Sequence, residues 1–289
     1  MSLVTVIILT YNEELHIERC IRNLQKISSH IVLIDSCSTD KTCAIATSLG
    51  AKVYENPWPG SHSIQFNWAL ENCTFDTEWL MRMDADEYLT DELIDEINRT
   101  LPATPSETGG FIIKRRVIFL GKWIKRGGFY PHRLLRVWRN GYGKLEERWM
   151  DEHVVLSKGN IAHLQYDMVD HNLNNLTWWT QKQNNYANRE VLDLVDIQNR
   201  STAAANVAAS LTGEQFSRKR WLKEKAYSRI PLFVRPLCYF FFRYILLLGF
   251  LDGKAGLVFH FLQGFWYRFL VDAKMLELRM AGLKRSEKK

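Results

Sequence analysis

Apolar and polar residues alternate along the first hundred positions in a way that predicts strands and helices in turn. The β-branched run Val4–Thr10 is typical of a strand that is covered on both faces. The segment after it has apolar residues at three- and four-residue spacing, which predicts an amphipathic helix packed on the sheet. Its apolar positions are Ile17, Cys20, Ile21, Leu24 and Ile27. This alternation predicts a largely parallel α/β sheet whose ligands bind at the carboxyl ends of the strands.

The same pattern continues to the end of the first hundred residues and then changes. Further strands are predicted at 31–34, 52–54 and 79–83, and further helices at 41–49, 63–72 and 91–101. A linker rich in Pro, Thr, Ser and Gly follows at 102–110. The strand-like pieces after it, at 111–120, 133–138 and 153–156, predict an antiparallel extension of the first sheet. A helix is expected at 175–198.

Composition excludes several classes of protein. The chain has 289 residues, 46% of them hydrophobic and 24% charged, which excludes a disordered, collagen-like or disulfide-scaffold protein. Five cysteines at irregular spacing, with no CxxC pair, predict reduced thiols rather than a disulfide framework or a zinc site. The N-terminus lacks the basic segment of a signal peptide, so we expect a cytoplasmic protein.

A pair of carboxylates follows the fourth predicted strand. Asp84 and Asp86 flank a single alanine at this point. Two carboxylates placed in this way can converge on a hard divalent cation, while phosphate oxygens and water complete its coordination. Such a site would hold a nucleoside diphosphate. Because acidic residues are also common in surface turns, the triplet alone leaves a structural role open.

Two further polar clusters follow the first and second predicted strands. The first cluster consists of Thr10, Tyr11, Asn12 and Glu13, and the second of Asp35, Ser36 and Asp40. Because neighbouring parallel strands end at the same edge of a sheet, we expect all three clusters to converge on one pocket. The structural alternatives are helix capping for Asn12, Ser38 and Asp40 and a turn role for Asp35.

The motifs TYNEE, DSCSTD and MDADE occur in this order between residues 10 and 87. Together they resemble family 2 glycosyltransferases of the GT-A fold, specifically over the first hundred residues and more loosely as far as residue 157. The layout of the whole chain is similar to bacterial glycosyltransferases of lipopolysaccharide core and surface polysaccharide assembly. The resemblance implies a Rossmann-like GT-A sheet with helices on both faces, to which the C-terminal region adds a helical extension that its own residues predict to associate with membranes.

The resemblance also implies roles for the motif residues. Asp35 would accept a hydrogen bond from a uracil or guanine base, and Asp86 would bind a Mg²⁺ or Mn²⁺ ion. Asp84 would lie near the ribose or a metal-bound water and would serve as a second metal residue. The nucleoside pocket would be lined by Thr10, Tyr11, Asn12, Glu13 and Ser36. The cation would neutralise charge on the departing diphosphate of a UDP- or GDP-sugar.

Inverting transfer also needs a base that takes the proton of the acceptor hydroxyl, opposite the leaving group. The family places an acidic pair after the strand-rich segment, where this chain has Asp151 and Glu152. The usual order in the family is Glu-Asp, so the base is either carboxylate here, and we favour Asp151. Trp149 is a candidate for stacking on an acceptor sugar, with core packing as the alternative.

The C-terminal region combines cations with aromatic and apolar residues. The apolar tract 232–251 contains Arg235, Pro236 and Arg243, so it predicts interfacial helices rather than a membrane span. The expected membrane anchors are Phe240, Phe241, Phe242, Tyr244, Phe265, Trp266 and Tyr267. The basic run 218–229 would meet anionic lipid. A helical hairpin in a homodimer interface is the alternative, and nucleic acid is not expected because the aromatic and basic residues are not interleaved.

These interpretations combine into one hypothesis. The chain is expected to be an inverting, metal-dependent hexosyltransferase acting on a lipid-linked glycan, bound peripherally to the cytoplasmic face of the inner membrane. Residues 1–105 would form the nucleotide-sugar-binding half, 106–215 the acceptor-binding half, and 216–289 a C-terminal amphipathic helical region. The alternatives are a transferase acting on polyprenyl phosphate and a non-catalytic, membrane-bound scaffold of the same fold.

Overall fold

The computed structural model describes residues 3–146, 153–199 and 230–286. The chain divides into two compact units. The first unit comprises residues 1–123 and 130–174, and the second comprises residues 124–129 and 175–289. The functional halves expected at 1–105 and 106–215 stay a prediction.

The first unit is built on a mixed sheet of nine strands. Four of them are parallel in the order β3-β2-β1-β4. These are β1 (Val4–Thr10), β2 (His30–Asp35), β3 (Lys52–Glu55) and β4 (Trp79–Asp84). The helices of this part are α1 (Ile17–Leu24), α2 (Thr42–Ser48), α3 (His62–Asn72) and α4 (Asp91–Thr100). The predicted alternation of strand and helix is therefore present, with ends that differ by a few residues.

The other half of the sheet continues from β4. The strand β8 (His132–Arg139) lies antiparallel to β4 and to β6 (Thr108–Phe119), as predicted. Next to β6 lies the parallel strand β11 (Asn160–Asp170), and β5 (Glu87–Leu89) pairs antiparallel with β11. The remaining strands are β7 (Lys122–Trp123), which pairs with β6, and the separate hairpin of β9 (Gly143–Leu145) and β10 (Val154–Leu156). The prediction that 153–156 extends the first sheet is therefore wrong, because this strand pairs with β9 in a sheet of its own. The sequence pattern did not predict β11, because its pairing shifts register and its buried residues do not alternate.

Helices cover both faces of the sheet, as predicted. On one face, Ile8 of β1 packs in a core with Ile21 of α1 and Ile97 of α4. On the other face, Ile7 of β1 packs in a core with Phe66 of α3 and Trp138 of β8. Successive side chains of a strand point to opposite faces, so an apolar run such as β1 requires cover on both sides. The polar residues that follow the run therefore lie at the rim of the sheet.

The second unit is helical where the structure describes it. Its helices are α5 (Leu176–Asn199), α6 (Val234–Phe241), α7 (Gly253–Phe259) and α8 (Tyr267–Ser286). Wider π-helical turns, Phe242–Leu246 and His260–Trp266, continue α6 and α7, and a 3₁₀ turn, Gly249–Asp252, precedes α7. The basic run 218–229 lies outside the described residues.

In the described part of the chain, no single helix is both long enough and apolar enough to cross a membrane. The pair Val234–Leu246 and Gly249–Ala281, bent by 69°, meets the requirements of length and composition only when taken together. One predicted anchor is wrong: Tyr267 is buried, and its hydroxyl donates a hydrogen bond to Glu190 of α5.

Candidate active site

The first corner of the candidate site lies where β1 and β2 end side by side. Thr10 and Asp35 are register partners, and the Thr10 hydroxyl donates to Asp35 Oδ1 over 2.8 Å. Asp35 also accepts hydrogen bonds from the backbone N–H and the hydroxyl of Ser38, each at 2.6 Å. The carboxylate is fully buried, and three of its roughly four acceptor positions are filled by its own loop and the adjacent strand. The Cys43 thiol also hydrogen-bonds to Asp35. The turn role is therefore present, and the carboxylate is engaged by the fold itself.

The loop after β1 is hydrogen-bonded to the loop after β2. Asn12 has a left-handed backbone with φ of 54°, and its N–H donates to the Ser38 hydroxyl over 2.8 Å. In return, the N–H of Thr39 donates to Asn12 Oδ1 over 2.9 Å. Ser36 is buried, whereas the Tyr11 ring is 58% exposed. The paired loops thus present Tyr11 as an aromatic surface beside the Thr10–Asp35 corner.

The capping role expected for Asp40 is not formed as predicted, because the N-cap residue of α2 is Lys41 and Asp40 precedes it. Asp40 Oδ1 accepts the N–H of Thr42, at the start of α2, over 2.9 Å, and its Oδ2 accepts the N–H of Glu14. Partial burial acts to raise the pKa of Asp40, but the hydrogen bonds from Thr42 and Glu14 lower it overall. Asp40 therefore stabilises the loops rather than facing a ligand.

Glu13 is held by a histidine that sequence analysis missed. His16 is 1% exposed, and its Nδ1 lies 2.7 Å from Glu13 Oε2. Its Nε2 accepts the N–H of Leu173, just after β11, over 2.9 Å. Because Nε2 is an acceptor, the ring proton lies on Nδ1 and is donated to Glu13. This relay connects the loop after β1 with the chain that leaves β11.

The acidic residues lie at the same edge of the sheet. Asp84 is the register partner of Leu9 in β1, on the opposite side of that strand from Asp35. Two strand spacings separate the backbones of β2 and β4, which corresponds to about 10 Å. The three predicted clusters are therefore neighbours at one rim.

Asp86 is held by three residues, yet it keeps one oxygen available. Its backbone carbonyl accepts from Arg19 Nη2 and from the N–H of His171, both at 3.0 Å. Its Oδ2 accepts from Asn172 Nδ2 over 2.9 Å. Asp86 Oδ1 has no hydrogen-bonding partner among the described residues. Sequence analysis missed Arg19, His171 and Asn172, because the last two follow the strand β11 that it did not predict.

Glu87 is the centre of an ion-pair network that sequence analysis also missed. It is fully buried, and its Oε2 accepts the N–H of Asp84 over 3.0 Å. Its Oε1 accepts from Arg136 Nη2 at 2.8 Å and lies 3.4 Å from Arg115 Nη1. Arg136 Nη2 is also 3.3 Å from Asp84 Oδ2. Strands β6 and β8 thus bring two cations to the turn that carries the DAD triplet.

This network separates the protonation states of the two acids. Burial acts to raise the pKa of Asp84, but the guanidinium groups of Arg136, Arg82 and Arg115 hold it well below its usual value. Burial raises the pKa of Glu87 to about 7, with Arg136 opposing the effect and the Asp84 charge adding to it. The negative charge at neutral pH therefore lies on Asp84 more firmly than on Glu87.

The acidic turn suits a divalent cation that is shared with a substrate. In residues 3–146, 153–199 and 230–286, no group of three or more His, Cys, Asp or Glu residues is arranged to hold a metal ion. Asp86 Oδ1 nevertheless offers a hard oxygen ligand, and Asp84 beside it is ionised. Mg²⁺ in particular binds through one or two carboxylates and completes its shell with phosphate oxygens and water. The residues therefore fit a cation that arrives with a diphosphate.

The expected catalytic residues Asp151 and Glu152, and the stacking candidate Trp149, lie outside the described residues. Their position along the chain is the connection between β9 and β10. The start of this connection is fixed, because the Asn67 side chain of α3 both donates to and accepts from the Leu145 backbone at 2.9 Å. The Glu146 N–H donates to the carbonyl of His153 across the hairpin over 3.0 Å.

Comparisons with known proteins agree with these observations. The family model for glycosyl transferase family 2 matches residues 5–154. A Rickettsia bellii protein named as an uncharacterized glycosyltransferase is 45% identical over 94 residues, which cover 32% of this chain and 31% of the relative. The lipopolysaccharide core biosynthesis glycosyltransferase LpsC of Rhizobium meliloti is 29% identical over 169 residues, which cover 57% of this chain and 61% of LpsC. The chain thus spans less than two thirds of each relative.

A solved structure extends the likeness to the whole fold. The mannosyltransferase PcManGT of Pyrobaculum calidifontis, in complex with GDP-Man and Mn²⁺, superposes with a TM-score of 0.51 at 16% identity. The superposition covers 95% of this chain and 87% of that protein. At this identity the likeness concerns the fold alone. It confirms the GT-A fold predicted from the sequence, and the family match confirms the resemblance of the three motifs.

Proposed function

This chain belongs to glycosyl transferase family 2, and on that premise we propose that it is an inverting, metal-dependent hexosyltransferase. The donor is a UDP- or GDP-sugar, and the acceptor is a lipid-linked glycan of a lipopolysaccharide core or surface polysaccharide. The observation that carries this proposal is the meeting of the Thr10–Asp35 corner and the acidic turn Asp84–Glu87 at one edge of the sheet. One side suits a nucleoside and the other suits a diphosphate with its cation.

On the nucleoside side, the chain offers one acceptor and one aromatic ring. Asp35 would accept an N–H of uracil or guanine in exchange for one of its present donors, and Tyr11 is exposed for ring contact. Asn12, Glu13 and Ser36 belong to the same pair of loops and complete the proposed pocket. Because the loops are cross-linked by hydrogen bonds, they hold these groups in place before the donor binds.

On the diphosphate side, Asp86 would hold Mg²⁺ or Mn²⁺ through Oδ1, with Asp84 near the ribose or a metal-bound water. Such a cation supplies neutralisation of the charge that develops on the leaving diphosphate. The chain itself orients Asp86 through Asn172 and Arg19, and it keeps Asp84 ionised through Arg136. The Pyrobaculum mannosyltransferase was solved with Mn²⁺ bound together with GDP-Man, which supports this use of a divalent cation.

The acceptor side needs a base and a way to hold a glycan. Asp151 or Glu152 takes the proton of the acceptor hydroxyl, and the oxygen attacks the anomeric carbon on the face opposite the diphosphate, which inverts the configuration. Trp149 stacks on the acceptor sugar. The likeness to LpsC, which is named for lipopolysaccharide core biosynthesis, supports a lipid-linked acceptor. The chain would then work at the cytoplasmic face of the inner membrane.

The test is release of nucleotide from a panel of UDP- and GDP-sugars, with and without Mn²⁺. We expect release from at least one sugar nucleotide, dependent on the metal, and a loss of about 100-fold or more in Asp86→Asn. The matched control is Asp91→Asn, because Asp91 is 85% exposed at the start of α4 and its described ion pair is with the exposed Lys26. No binding of any sugar nucleotide by calorimetry, or binding that is unchanged in Asp86→Asn, would favour the scaffold alternative.

Variants of the two candidate general bases, Asp151 and Glu152, can distinguish a sugar acceptor from a phosphate acceptor. Asp151→Asn combined with Glu152→Gln should abolish transfer to a sugar hydroxyl, because neither residue could then accept the proton. A phosphate acceptor is already ionised and needs no base. Turnover that survives in this double variant would therefore identify a polyprenyl phosphate transferase.

A further inference from the structure

The second unit has an inverted distribution of polarity. In the described segment 230–276, charged side chains lie inside and large apolar side chains lie outside. Arg235, Arg243 and Asp272 are each at most 7% exposed, whereas Leu246 and Leu237 are 61% and 58% exposed. A protein that is surrounded by water on this face would show the opposite arrangement.

The inward charges have partners within the unit. Arg235 Nε donates to Asp272 Oδ1 over 2.7 Å, and Asp272 Oδ2 accepts the N–H of Phe233 over 2.8 Å. Arg243 Nε donates to the carbonyl of Gly127 over 2.8 Å. The two arginines that interrupt the apolar tract in the sequence are therefore turned away from its outer surface.

The remaining acid of this segment is also used internally. Asp252 is 2% exposed, and its Oδ2 accepts the backbone N–H groups of Lys125 and Arg126 at 3.0 and 2.8 Å. Lys254 is the one charged residue among the exposed positions of 230–276, all of which the structure describes. The exposed side chains of this segment are thus apolar apart from those of Lys254 and Cys238.

This surface suits hydrocarbon better than a second copy of the chain. Even homodimer interfaces are about one third polar and carry roughly ten hydrogen bonds. A lipid acyl region instead requires that charged groups be turned inside the protein and paired there, as Arg235 is with Asp272. Soluble proteins rarely expose a contiguous apolar patch of this kind.

We propose that the second unit inserts into one leaflet of a lipid bilayer through the outer face of α6, its π-helical continuation and the following 3₁₀ turn. We call this face, Val234–Leu251, the apolar face. Hydrophobic burial holds it there, rather than attraction of the basic run 218–229 to anionic lipid. The inference rests on the proposed function only for the membrane-side acceptor, and it needs no transferase activity.

The length of the apolar face supports insertion into a single leaflet. α6 with its continuation, Val234–Leu246, is about 20 Å long, whereas the hydrocarbon core of a bilayer is about 30 Å thick. The chain then bends by 69° instead of continuing. Phe241 and Phe242 are both exposed on this face, at the junction of α6 with the π-helical turn.

The first test is flotation of the full chain with vesicles. Hydrophobic insertion predicts binding to neutral phosphatidylcholine vesicles that persists in 1 M NaCl. Binding that requires anionic lipid and is eluted by salt would overturn the proposal, because it would show electrostatic adsorption. Failure to float, together with a concentration-dependent dimer, would also overturn it and would assign the face to a second copy of the chain.

A matched pair of variants tests which surface is buried in lipid. Leu246→Glu places a charge on the apolar face and should weaken binding to neutral vesicles at least tenfold. Leu120→Glu is the control, because Leu120 is 60% exposed in the turn between β6 and β7 of the first unit. Metal-dependent release of nucleotide should be unchanged in both variants, which separates this test from the catalytic proposal. Equal binding by the two variants would contradict insertion through this face.

Two native cysteines provide a test that leaves the fold unchanged. Cys238 on α6 and Cys37 in the loop after β2 are both exposed free thiols. A fluorophore attached to Cys238 should be quenched by phosphatidylcholine brominated in its acyl chains, and one attached to Cys37 should not. Quenching at both positions, or at neither, would overturn the proposal.

Discussion

The Thr10–Asp35 corner and the acidic turn Asp84–Glu87 stabilise a buried carboxylate in different ways. Each has a fully buried carboxylate at the rim of the sheet, Asp35 in one and Glu87 in the other. Asp35 is satisfied by neutral donors from its own loop and the adjacent strand. Glu87 depends on the cations Arg136 and Arg115 from strands that follow much later in the chain.

The difference indicates how each region responds to a ligand. The Asp35 carboxylate is held by several short hydrogen bonds from its own loop and the adjacent strand, so the Thr10–Asp35 corner is a fixed platform. The acidic turn contains opposed charges in a poorly solvated place, where an added diphosphate or cation changes every interaction. Its response to a ligand is therefore electrostatic, which suits the part of a donor that leaves with negative charge.

The largest expected loss of unfolding free energy comes from removing Arg136, the cation at the centre of the acidic turn. Arg136→Met leaves Glu87 buried with only the longer contact to Arg115, and it leaves Asp84 with Arg82 at 3.8 Å. Breaking a buried ion pair from one side costs about 3–5 kcal/mol of unfolding free energy. Urea unfolding followed by circular dichroism would measure this loss.

The matched control for Arg136→Met is Arg22→Met. Arg22 pairs with Glu18 on the exposed face of α1 at 2.9 Å, with both side chains more than half exposed. Exposed pairs of this kind contribute about 0–1 kcal/mol. If Arg136→Met loses no more unfolding free energy than Arg22→Met, the cations do not stabilise the acidic turn.

A smaller loss of unfolding free energy is expected at the Thr10–Asp35 corner. Asp35→Asn places an amide N–H against one of three donors and leaves that donor without a partner, which should cost about 1–3 kcal/mol of unfolding free energy. Ser38→Ala is the comparison, because it removes one hydroxyl and keeps the carboxylate. If Asp35 also contacts the base of the donor, Asp35→Asn should weaken UDP or GDP binding measured by calorimetry. Ser38→Ala should then leave nucleotide binding nearly unchanged.

The two regions also differ in how far the sequence could predict them. Strands β1 to β4 and their helices follow from local periodicity, and the convergence of Thr10, Asp35 and Asp84 follows from parallel topology. Asp35 and its donors lie within one motif or on an adjacent strand, so the turn role could be stated in advance. Glu87 was visible only as the last letter of MDADE, because its partners Arg115 and Arg136 are distant in sequence.

In the C-terminal region, too, the sequence cannot predict contacts between residues that are far apart along the chain. The sequence shows that Arg235 and Arg243 interrupt an apolar tract, but it does not show which way they point. Asp272, the partner of Arg235, lies 37 residues further along the chain. Only the packed structure shows that both arginines face inward, and this changes the expected mode of membrane binding from adsorption to insertion.

The smallest expected effect is the pH dependence contributed by Asp84. Because Arg136 and Arg82 lower its pKa against the opposing effect of burial, Asp84 stabilises the folded state above its unfolded pKa of about 3.9. That contribution is lost as the pH falls through the lower folded pKa. The unfolding free energy of Asp84→Asn should therefore fall less steeply than that of the native chain between about pH 5 and pH 2. The effect is small because the side chain is 36% exposed to water, which screens the attraction. Asp91→Asn should leave the slope unchanged, and equal slopes for Asp84→Asn and the native chain would mean that Arg136 acts through Glu87 alone.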